Sequence, residues 1–79
     1  MAESLVFEYD RIGDILHVTK VAPYRDQGTV EIEEDVLARI NPDTGDVEGL
    51  EILFWSKRLE AGENISLPIK GTWRLAVEV

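Results

Sequence analysis

A chain of 79 residues, 44% of them apolar, is enough for one small globular domain and is too apolar to be disordered. Eight Lys and Arg against 16 Asp and Glu leave a net charge of −8, which argues against binding nucleic acid or an anionic membrane surface. The chain has no cysteine and one histidine, His17, so disulfides, thiolate chemistry and a histidine-rich metal site are excluded within it.

Leu5 to Tyr9 alternates, with Leu5, Phe7 and Tyr9 on one face. Asp10-Arg11-Ile12-Gly13-Asp14 reads as a turn. Ile15 to Val21 follows as a strand, with Leu16 and Val18 opposite Ile15, His17 and Thr19, and completes a hairpin. Pro23 to Gly28 is loop. Thr29 to Glu33 alternates, with Val30 and Ile32 inward and Glu31 and Glu33 outward, and Glu34-Asp35 turns the chain. Val36 to Ile40 offers Val36, Ala38 and Ile40 to one face. Val47 to Leu53 is a strand whose period of two fails between Val47 and Leu50. Gly49 lies at the break, the signature of a β-bulge with Glu48 or Gly49 as the unpaired residue. Ser56 to Ala61 predicts a helix of one or two turns, with Ser56 as N-cap and Gly62 as its C-terminal stop. Pro68 confines Ile65 to Ile69 to an edge or irregular strand, and Thr72 to Val79 alternates as a terminal strand.

The hairpin loop holds Asp43-Thr44-Gly45, the tripeptide of aspartic proteases. Such a protease sets its Asp between apolar segments and pairs it with a second Asp across a twofold axis. Here Asn41, Pro42 and Asp46 flank the tripeptide with turn formers. An EF-hand calcium loop needs glycine at the sixth position, between helices, and this glycine is third from the first acid. A turn explains each residue: Pro42 supplies a fixed φ, Asp43 bonds its own backbone, Gly45 takes positive φ, and Gly49 marks the bulge beyond.

The remaining polar residues have structural explanations. Asp10 and Asp14 end strands and hold a turn; with Glu51 they make the weak alternative of a divalent-cation site. Glu31, Glu33, Glu34 and Asp35 read as a solvated face and turn. His17 lies on the second face and has no visible acid–base constellation, and the glycines form no phosphate loop. No catalytic residue, cofactor or metal is expected. Trp55 and Trp73 are core or interface residues, and Leu75 and Val77 would join them at a contact.

"YDRIGDILHV" (Tyr9 to Val18) and "INPDTGDVEGLEIL" (Ile40 to Leu53), in that order and about 25 residues apart, resemble a prokaryotic family of small uncharacterised domains, domain of unknown function 2283. The resemblance covers roughly residues 5 to 60, with His17 where an aromatic residue is usual. It implies a compact β-meander and carries over no activity and no site residue.

The expected fold is mainly β (β-rich α+β): an antiparallel β-meander of about five strands, one short helix and one or two C-terminal strands. Residues 1–79 form one domain, with the family-like part at 5–60 and a strand extension at 61–79. The acids in MAESLVFEYDRIGD leave no room for a signal peptide, and the longest apolar run, Ile52 to Trp55, is far too short to span a bilayer. A cytoplasmic interaction module follows, homodimeric through its sheet or its Trp-bearing C-terminal half. The alternative is a small-molecule or cation-binding domain using the clustered acids.

Overall fold

Short apolar strands separated by acidic turns close into hairpins, and hairpins sharing an apolar face join into one sheet. The computed structural model describes residues 4–77. It is mainly β, with strands β1 (Val6–Asp10), β2 (Ile15–Thr19), β3 (Gly28–Glu33), β4 (Val36–Ile40) and β5 (Val47–Leu53), followed by helix α1 (Trp55–Ala61). All pairings are antiparallel, and the strand order is β1-β2-β5-β4-β3. The sheet is therefore not a simple meander. The connection Lys20 to Gln27 passes β5 and β4 before β3 begins, a Greek-key arrangement that places β5 at the centre. Among the described residues no helix is long and apolar enough to cross a membrane.

The register sorts the side chains. One row runs Phe7, Val18, Leu50, Ala38, Val30 across all five strands. The next on the same face runs Tyr9, Leu16, Ile52, Val36. This apolar face contains Val36 and Ala38, which are fully buried, and Ile52. The opposite face carries Glu8, His17, Glu51, Leu37 and Glu31 in one row and Val6, Thr19, Gly49, Arg39 and Thr29 in another.

Two bulges adjust this pattern. Arg39 pairs with Gly49 and Ile40 with Val47, so Glu48 is the extra residue. Its carbonyl accepts from the N–H groups of both Lys20 and Val21, at 3.0 Å each. This ends β2 at Thr19, two residues before the expected Val21. A second bulge was not legible. Glu31 pairs with Leu37 and Glu33 with Val36, so Ile32 is left over rather than aligned with Val30.

The β4–β5 turn is organised by Asn41, whose Oδ1 accepts from Asp43 N (2.8 Å) and Thr44 N (3.1 Å). Pro42 and Asp43 occupy the turn between them, and Gly45 sits at φ 79° and donates to the Asn41 carbonyl at 2.8 Å. A Cβ at Gly45 meets nothing within 4 Å, so only the backbone resists substitution. Gly45→Ala is expected to destabilise by about 1 kcal/mol. An unchanged denaturation midpoint would contradict the positive-φ requirement.

The C-terminal third departs most from expectation. Ser56 lies inside α1 and does not cap it. The cap position is Phe54, at φ 55°, and it supplies no side-chain bond. A long-range carboxylate, that of Asp14, takes the place of the local hydroxyl. Gly62 does end the helix, at φ 66°, its N–H reaching the carbonyls of Arg58 and Leu59. Neither Ile65 to Ile69 nor the described part of Thr72 to Val79 forms a strand; Glu78 and Val79 lie outside the described residues. Pro68 removes a donor from the first segment. The second is paired with no edge of its own sheet, and Trp73 is 77% exposed rather than part of the core.

Candidate functional site

Three polar clusters sit on this frame. The first lies on the central strands opposite the apolar face. Arg39 is 6% exposed, and its Nη2 donates to Thr19 Oγ1 at 3.0 Å. Its Nε stands 3.9 Å from Glu51 Oε1, too long for a hydrogen bond, and among the described residues Nε and Nη1 have no hydrogen-bond partner. Gly49 makes room for it: a Cβ there would fall 2.3 Å from Arg39 Nη2. The in-strand glycine therefore accommodates a guanidinium as well as neighbouring the bulge.

The second cluster ties α1 to the first hairpin. Asp14, at φ 57°, accepts from Tyr9 Oη (2.6 Å), Ser56 N (2.9 Å) and Ser56 Oγ (2.7 Å). Its carbonyl also accepts from Trp55 N at 3.1 Å. The Tyr9 hydroxyl first, then Ser56, holds the Asp14 carboxyl below its ordinary value, while Asp14 raises the Tyr9 phenol. The Ser56–Asp14 contact thereby positions the start of the helix.

The third cluster closes the Lys20 to Gln27 crossover. Glu48, the bulge residue, is buried and accepts from Tyr24 Oη (2.5 Å) and Gln27 Nε2 (3.2 Å). The bond to Glu48, aided by desolvation, pushes the Tyr24 phenol up to about 12. The same bond holds the Glu48 carboxyl below its usual range against the opposing effect of burial.

The acids of the cation alternative are thus occupied separately. Asp10 Oδ1 accepts from Ile12 N (3.0 Å) and Gly13 N (3.1 Å), Asp14 anchors α1, and Glu51 faces Arg39. Among the described residues no group of three or more His, Asp or Glu side chains is arranged to hold a metal ion. An open groove of about 500 Å³ lies beside α1, lined by residues including Glu34, Val36, Phe54, Lys57, Arg58 and Ile65; Asp10, Asp14 and Glu51 are not among its walls.

Sequence reasoning missed Arg39 and Tyr24, and it placed Glu48 at the bulge and Asn41 in the turn without seeing what their side chains bind. Gly49 was a usable signal, because an in-strand glycine also marks close approach. Its partner depends on the bulged β4–β5 register. Asn41 before Pro-Asp was readable as a side-chain-stabilised turn. Tyr24 and Glu48 are 24 positions apart and carry no local signal.

The solvent-exposed surface also carries large apolar side chains. Phe7 (62% exposed), Tyr9 (44%) and Val30 (45%) stand at the two edges of the apolar face, with half-buried Leu16, Val18 and Leu50 between them. Helix α1 has no buried residue. Compared with protein-family models, with curated proteins and with solved structures, the chain matches none.

Proposed function

We propose that the protein is a small non-enzymatic interaction module that self-associates through the apolar face of its sheet. The observation that carries this reading is the row Phe7, Val18, Leu50, Ala38, Val30, which crosses all five strands and is exposed at both ends. A sheet one layer thick needs a second layer over its apolar side. The short helix, held at its N-terminus by Asp14, supplies little of it. Facing two such sheets together also turns Glu8, Glu31 and Glu51 outward, which separates the charges of two chains at −8 each. A twofold dimer is the simplest such assembly. The cation-binding alternative has less behind it, since each of its acids already has a structural partner. The family resemblance brings no activity to set against this reading.

Sedimentation at micromolar concentration is the test. The expected result is a dimer that tightens with salt, because screening weakens the repulsion while the contact is apolar. Phe7→Glu and Val30→Glu should give folded monomers, and Glu31→Gln on the opposite face should leave the dimer intact. A strictly monomeric mass for the unaltered chain at moderate salt would refute the proposal.

A further inference from the structure

The segment after α1 and the free edge of β1 have complementary needs. Between Asn64 and Val77 the chain carries Lys70 and Arg74 and no acid, within a protein of net charge −8. Its end alternates, Trp73, Leu75 and Val77 against Arg74 and Ala76, yet it forms no strand, and its three large apolar side chains are exposed. Strand β1 is an edge strand with all five residues exposed. It contains no proline, lysine or bulge, the usual protections of an edge. The other edge, β3, is bulged at Ile32 and is the poorer template.

We propose that Thr72 to Val77 adds as a sixth strand to the β1 edge of a second copy of this chain, with the exchange reciprocated about a twofold axis. The inference rests on the self-association reading and specifies a contact within it. In an antiparallel register with Arg74 opposite Glu8, Trp73 lies beside Tyr9, Leu75 beside Phe7 and Ala76 beside Val6. The two large apolar residues then extend the apolar face. Arg74 meets Glu8, with Asp10 next on the same side of β1. A slip of one residue would put Arg74 among Phe7 and Tyr9 and Trp73 among the acids, so the alternation selects the register. Charge complementarity favours this occupant: Arg74, the charged residue of Thr72 to Val77, meets the acidic row of β1, Glu8 and Asp10. Within one chain the described tail pairs with no strand, which leaves it available to the β1 edge of a second copy.

The absence of cysteine allows a direct test. Glu8→Cys and Arg74→Cys chains are mixed and mildly oxidised. The mixed disulfide between chains should exceed either like-with-like product. Leu75→Pro, which removes a ladder donor from an exposed segment, should weaken dimerisation by on the order of tenfold. A dimer abolished by Val30→Glu, unchanged by Leu75→Pro and giving no mixed disulfide would overturn strand addition and leave the apolar-face reading standing. Closure of the disulfide within one chain of the Glu8→Cys/Arg74→Cys double variant would overturn the second copy as donor. A monomeric unaltered chain would overturn both readings.

Discussion

Gly49→Val is expected to cost about 3 kcal/mol, and Gly49→Ala between about 1 and 2 kcal/mol. The reason differs from that at Gly45. Gly49 is not among the positive-φ residues, so its backbone tolerates any L residue. The obstacle is Arg39, with Nη2, Cζ and Nε at 2.3, 2.6 and 2.8 Å from where a Cβ would sit. To admit a methyl group the guanidinium must lift. Lifting it breaks the 3.0 Å bond from Nη2 to Thr19 and moves a buried cation whose Nε and Nη1 already lack partners among the described residues. A branched side chain gives it less room still. The cost therefore belongs to the pair, and a double-mutant cycle should show it. In an Arg39→Ala background, Gly49→Ala should be nearly neutral or stabilising, since alanine suits a strand interior better than glycine. Additive effects, with Gly49→Ala equally costly in both backgrounds, would show that the glycine serves the bulge alone.

Sequence reading succeeded where period and turn chemistry are local, and failed where a partner is distant. The alternation of Val36, Ala38 and Ile40 and the break at Gly49 fix two strands and a bulge without knowledge of the rest of the chain. Gly62 ended the helix as a local C-terminal signal should. The strand order could not follow from such signals: they are equally compatible with β5 joined to β4 alone, and its pairing with β2 emerges only once Leu16 and Val18 meet Ile52 and Leu50. The helix start was misplaced for a related reason. Ser56 has the chemistry of a cap, but Asp14, 42 positions away, holds its N–H. In Thr72 to Val77 the pattern of a strand is present and a pairing partner is not, because alternation describes what a segment suits and not what lies beside it. The apolar face was legible as a face, whereas its exposure depended on where α1 docks.

Stability is expected to form a plateau bounded on both sides by the two tyrosine–carboxylate pairs. Asp14 and Glu48 have carboxyl groups lowered from 3.8 and 4.5, each first through its tyrosine hydroxyl. A carboxyl lowered by folding stabilises the folded state fully above its unfolded value, and that contribution is lost as pH falls through the folded value. The acid limb should therefore begin below about pH 4.5 and deepen below 3.8. The phenols have the opposite sign. Tyr24 is raised from 10.0 to about 12 by the bond to Glu48, so its contribution is intact below pH 10 and disappears between 10 and 12. Tyr9, raised by Asp14, acts in the same direction. Protonating Asp14 weakens its acceptance from Ser56 N and Oγ, so helix α1 should loosen with the acid limb. Glu48 joins the bulge to the crossover through Tyr24 and Gln27, so loss of its charge should loosen Lys20 to Gln27. Asp14→Asn keeps an acceptor and tolerates the φ of 57° while removing the charge, and Tyr24→Phe removes one donor at each limb. Thermal midpoints between pH 2 and pH 12 should show a shallower acid limb in Asp14→Asn and shallower limbs on both sides in Tyr24→Phe. Curves for both variants parallel to that of the unaltered protein would mean that neither pair is linked to folding.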